Sequence, residues 1–259
     1  MGKIFGVVLL ASLSVAGCWA SDRPAGGRAG LGGDLAAGRA HGPTAALLPL
    51  EQRWLQAIAP VLAFARATGF PLDIIVQPQA LPGHTPLAVA FVDGRCKLVL
   101  SMRGNAVAQE TLDAIPPDLL EAALELMAAH ELGHCERYLA GEFAHPPAGF
   151  HAAEPAAGLS TGPGLAVEPR QASVWSQALR REEGYADLVG LAWSRHRHPQ
   201  LYARLHAWLV SERSSDPERG GSHDTQAWLR LARDGTVLAD PSMFSNATRV
   251  WRLGLQTSD

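Results

Sequence analysis

The chain has 259 residues, 47% of them hydrophobic, so it can bury a real core and is not an intrinsically disordered polypeptide. Its 22 Lys and Arg against 25 Asp and Glu give a net charge of −3, with no basic run, which leaves nucleic-acid binding unsupported. The first element in chain order is Lys3 followed by an apolar run at 4–13 and then small residues, the layout of a secretory signal. That run is too short to span a bilayer as a stable helix.

Val15-Ala16-Gly17-Cys18 resembles the lipobox of bacterial lipoproteins, in which cleavage precedes the cysteine and the thiol takes the lipid. The resemblance implies a signal peptide at 1–17, a lipid on Cys18 and a periplasmic protein anchored to the bacterial membrane. Trp19, in place of an aspartate retention signal, points to the outer membrane. The alternative is cleavage after Ala20 and a soluble exported protein. Residues 18–44 are rich in Gly, Ala and Arg without apolar periodicity and read as a flexible tether. Residues 45–259 then form one domain.

Trp54, Leu55, Ile58, Val61, Leu62 and Ala65 recur at helical spacing and predict a helix over 50–68, with Pro60 as a kink or break. A buried strand is predicted at 72–77. Strands at 87–92 and 95–101 flank Asp93-Gly94, a hairpin signal because both turn positions must tolerate positive φ. These strands predict a small antiparallel sheet.

Pro116-Pro117-Asp118 opens a predicted helix to 139, and Leu119, Leu120, Ala123, Leu124 and Met127 form its apolar stripe. A Pro-, Gly- and Ala-rich loop is expected at 141–169, over or beside the site that the preceding helix carries. Helices follow at 171–195 and 199–211, then a polar break at 214–222 and a short helix at 224–233. If Cys18 is acylated, Cys96 and Cys135 remain, and an oxidising compartment permits a disulfide between them. The alternative is two buried thiols acting as small hydrophobes.

The helix at 116–139 contains His130-Glu131-Leu132-Gly133-His134. Two histidines four apart share one helical face, so both imidazoles can reach one zinc ion, while the adjacent glutamate is placed to take a proton from water. A catalytic zinc site needs a third protein ligand. The metzincin spacing would put glycine and histidine where Arg137 and Ala140 stand, so that pattern fails. The gluzincin pattern, a glutamate on a second helix with an aspartate four residues on, is met by Glu183 and Asp187. Glu182 is the nearest competitor, pointing about 100° away around the helix. Glu136, Glu142, Glu154, Glu168, His145 and His151 are further candidates without such an arrangement.

With these elements in order, 72–195 resembles the gluzincin metallopeptidases that include the CAAX prenyl endopeptidase and the HtpX and Oma-type quality-control proteases. The resemblance implies an α+β, zincin-like fold: a small antiparallel sheet with a hairpin, packed on a mainly helical catalytic domain. It implies one zinc ion on His130, His134 and Glu183, with Glu131 as general base, Asp187 orienting a ligand histidine, and a protein or peptide substrate. The family also has a histidine beyond the ligand helices in a Ser/Thr-His-Pro sequence, which Ser222-His223-Asp224 matches except at the proline. His223 is therefore the candidate oxyanion donor. An extended peptide is expected to pair with the strand at 96–100. Two other readings stay open: a catalytically silent zinc-binding envelope protein, and a hydrolase of peptidoglycan amides.

Overall fold

The computed structural model describes residues 46–78, 85–147, 150, 169–214 and 221–256, so the expected signal, Cys18 and the tether lie outside the described residues. Two helices open the domain, α1 (Pro49–Ala57) and α2 (Ala59–Ala67). The expected kink or break is a break, at Ile58, and Pro60 lies in the first turn of α2, where a missing N–H removes no helical hydrogen bond.

Strands β1 (Leu72–Pro78), β2 (Leu87–Val92) and β3 (Arg95–Arg103) form one sheet in the order β1-β3-β2. The β2–β3 hairpin turns at Asp93 and Gly94 with φ of 52° and 71°, as the dipeptide predicts. β1 pairs parallel to β3, so the sheet is mixed and not antiparallel as expected. β1 is also not buried, because Ile74 and Ile75 are 41% and 37% exposed at the sheet edge. A run of branched residues reads the same on an edge as in a core, and only the pairing distinguishes them.

Helix α3 (Ala106–Ala114) was not anticipated; Asn105 caps it by accepting the Val107 N–H at 3.1 Å. Then come α4 (Leu120–Leu139), α5 (Pro169–Arg197), α6 (Tyr202–Ser214) and α7 (Gln226–Leu231). A 3-10 turn at Thr236–Leu238 and α8 (Met243–Leu255) complete the chain's described elements. The α+β class therefore holds, mostly helical with a small mixed sheet. No helix among the described residues is long and apolar enough to cross a membrane.

Helices α4 and α5 pack antiparallel and set the position of everything that follows. Their approach requires glycine at two points. A Cβ on Gly133 would lie 2.9 Å from the Ala186 Cα, and one on Gly190 would lie 2.9 Å from the Leu126 carbonyl oxygen. Trp228 of α7 is wedged between Gly184 and Gly254 and donates its indole N–H to the Trp251 carbonyl at 3.0 Å, tying α8 to the pair.

Cys96 on β3 and Cys135 on α4 form a disulfide, Cα atoms 5.9 Å apart, which fastens the ligand-bearing helix to the sheet at the residue after His134. For a sequence separation of 39, the chain-entropy treatment gives about 4 kcal/mol of stabilisation. The Cys96→Ala/Cys135→Ala protein is expected to lose an amount of this order in urea melts. The same loss should follow from melting the native protein in reductant.

Candidate metal centre

The two helices bring His130 and His134 of α4 against Glu183 of α5, in one buried cluster whose nitrogen and oxygen atoms can hold a metal ion. The Nε2 atoms of the histidines are 3.1 Å apart. Glu183 Oε1 is 3.4 Å from His134 Nε2, and Oε2 is 3.5 Å from His130 Nε2. A tetrahedral ion with ligands at 2.0–2.1 Å has ligand-to-ligand edges of about 3.3 Å, so the cluster has the dimensions such an ion needs.

The lone pairs are aimed correctly as well. Asp187 Oδ1 lies 3.0 Å from His130 Nδ1; burial pushes its carboxyl up, but the Arg213 charge and the His130 hydrogen bond outweigh this and hold it down at about 2. An ionised carboxylate only accepts, so Nδ1 carries the hydrogen and Nε2 presents its lone pair to the cluster. Burial pulls the His130 imidazole down to about 4, which keeps it neutral. For Glu183, burial pushes upward, but the hydrogen bond with His134 and the Arg213 charge outweigh it and hold the carboxyl well below the usual range.

Glu131 is placed differently from the ligands. It accepts a backbone hydrogen bond from Val89 of β2, yet its Oε2 is buried with no hydrogen-bond partner among the described residues. An orphaned carboxylate oxygen is costly inside a protein and calls for a donor that the described residues do not supply. Burial pushes this carboxyl up to about 8, the range in which a group exchanges protons near neutral pH.

Two partners of the site escape sequence reasoning. Arg213, at the end of α6, gives Nη2 to Glu183 Oε2 at 3.0 Å and to Asp187 Oδ1 at 2.5 Å, and Nε to Asp187 Oδ2 at 2.9 Å. Thr225, ahead of α7, donates its hydroxyl to Asp187 Oδ2 at 2.6 Å. Arg213 stands four residues after the buried Leu209, on the apolar face of its helix, and that position was the available signal. Thr225 had none.

The competing ligands are occupied elsewhere or lie outside the described residues. Glu182 accepts from Arg137 at 2.8 Å, Glu136 from the Tyr185 hydroxyl at 2.9 Å, and Glu142 from Arg137 at 2.9 Å. His145 is exposed, and Glu154, Glu168 and His151 lie outside the described residues. His223 is half-buried, with Nδ1 3.4 Å from Ser222 Oγ, and does not join the metal cluster, although Thr225 ties its turn to Asp187. The strand at 96–100 belongs to β3, which is paired on both sides; the strand with an outer edge beside α4 is β2. Comparison with protein-family models, with curated proteins and with solved structures finds no match to this chain.

Proposed function

We propose that the protein is a zinc-dependent peptidase of the bacterial cell envelope, hydrolysing peptide bonds in unfolded protein. The observation that carries this reading is Glu131, whose unpartnered oxygen belongs to a residue next in sequence to one ligand of a cluster sized for a tetrahedral cation. Two imidazoles and one carboxylate suit zinc among the abundant divalent ions. Bound there, zinc would polarise a carbonyl and lower the pKa of a water toward about 7.

The chain's own residues would do the rest. Glu131 takes the proton as water attacks and delivers it to the leaving amine nitrogen. Asp187 keeps His130 in the tautomer that points Nε2 inward, and Arg213 offsets the negative charge gathered at Glu183 and Asp187. His223 is the proposed donor to the developing oxyanion. The outer edge of β2 beside Glu131 is the candidate for pairing an extended peptide. The lipobox at Cys18 supplies the anchor that would keep the activity at the membrane, with the outer membrane as the expected location.

One observation favours a second reading. His130, Glu131, His134 and Glu183 are all at most 2% exposed, as suits a metal held for structure alone. Glu131→Gln separates the two. If the peptidase reading holds, the variant still takes up one zinc per chain but hydrolyses casein about 10²–10⁴-fold more slowly than the native protein. Equal rates, or no hydrolysis by either, would leave the silent metal site. Turnover of purified cell wall and not of casein would favour an amide other than that of a protein.

A further inference from the structure

At His134 the cluster is contacted by the segment that follows α4. Residues 141–147 fold back over the site, and the Phe143 ring lies edge-on to His134, centroids 6.1 Å apart. On its other side Phe143 meets Phe91 of β2 at 5.5 Å, edge to face. Phe91 in turn stacks on Tyr138 at 3.9 Å, and Tyr138 is one helical turn beyond His134 on α4. Phe143 therefore sits between a metal-ligand candidate, His134, and the Phe91 ring, which Tyr138 backs from behind.

Besides this ring contact, the segment is held by a polar latch. Arg137 donates to the carbonyls of Glu142 and His145, each at 2.6 Å, and to the Glu142 carboxylate at 2.9 Å. The same guanidinium binds Glu182 at 2.8 Å, and Glu182 accepts the Ala144 N–H at 3.0 Å. Ala144 has φ of 62°, a conformation that disfavours a side chain and persists only because these bonds impose it. Glu182 immediately precedes Glu183, and Arg137 lies three residues after His134. The latch thus rests on the same two helices as the ligands, and closure of the segment is registered to the site.

We propose that 141–147 is a lid over the metal centre, latched by Arg137 and Glu182, and that Phe143 stands where a bulky apolar side chain of a bound peptide goes. The slot accepts an aromatic or Leu-sized side chain next to the scissile bond once the lid swings out. This inference rests on the peptidase reading for its substrate, but the lid itself needs only a cation in the site. Movement of such a segment would admit substrate and then exclude water around it.

The test uses the zinc-loaded protein and the rate at which 1,10-phenanthroline removes the metal. Phe143→Ala removes the plug, and extraction should accelerate roughly tenfold, the effect of losing one half-buried aromatic ring from a local opening step. Phe143→Leu keeps an apolar plug and should stay near the native rate. Hydrogen exchange on the native protein gives an answer that does not depend on any variant folding: the Ala144 amide should exchange much faster than the amides of α4, through local opening. Unchanged extraction in Phe143→Ala, or Ala144 exchanging only as slowly as α4, overturns the lid. In a peptide library, preference for Phe, Leu or Met over Asp beside the cleaved bond supports the slot, and indifference refutes it. Faster extraction with no hydrolysis by any form would keep the lid and defeat the peptidase reading instead.

Discussion

Glu183→Ala is expected to remove almost all of the metal-dependent part of this protein's thermal stability. A ligand that binds only the folded state at 100 times its dissociation constant stabilises it by about 2.7 kcal/mol. For a domain of this size each kcal/mol shifts Tm by about 2–4 °C, so zinc should raise the native protein's Tm by roughly 5–10 °C. Glu183 supplies one of three ligands, and His130 and His134 alone, four apart on one helix, form only an incomplete site. The metal-free melt should change less, because Arg213 keeps its two bonds to Asp187 when Glu183 is gone. Differential scanning fluorimetry with and without zinc checks both halves. A zinc shift in Glu183→Ala equal to that of the native protein would mean the ion binds elsewhere.

Arg213→Met should be the most destabilising single change at the site. The guanidinium is buried between two buried carboxylates, whose attraction raises its pKa against the effect of burial. Removing it leaves Glu183 and Asp187 without their cation, a loss of about 3–5 kcal/mol for a broken buried ion pair. That corresponds to a fall in Tm of roughly 6–20 °C in the metal-free protein. Zinc restores positive charge beside Glu183, so the variant should gain more from zinc than the native protein does. Arg213→Lys keeps the charge but not the fork that reaches both carboxylates, and should recover only part of the loss. Melts of the three proteins with and without zinc test the order. Equal zinc shifts in native and Arg213→Met proteins would separate Arg213 from the metal centre.

How far the site could be read from sequence depends on whether its contacts follow a helical period. His130 and His134, and separately Glu183 and Asp187, are each one turn apart on one helix, so spacing alone aligned them. That the two helices meet in this register rests on Gly133 and Gly190 permitting contact between backbones, which no periodicity announces. Arg137 and Glu182 flank the motif residues, yet their pairing emerges only with the antiparallel packing of α4 on α5.

The fold shows the same division. The Asp93-Gly94 hairpin is local turn chemistry and was legible, whereas the parallel pairing of β1 with β3 is a long-range choice and was not. Helix α8 is a different case. Met243, Ala247, Val250, Trp251 and Leu255 are all buried along one face, a stripe present in the sequence but interrupted by Asn246, Thr248 and Gly254. The disulfide could be permitted by compartment, but deciding for it required the Cα separation of 5.9 Å.

The most direct test of the account is the coordination of metal in the purified protein, read by titration with zinc and by X-ray absorption at the zinc edge. One ion per chain, bound through two imidazole nitrogens and carboxylate oxygen at about 2.0–2.1 Å, is the predicted result. Failure to take up any divalent ion stoichiometrically, or a bound ion that lacks histidine ligands, would contradict it.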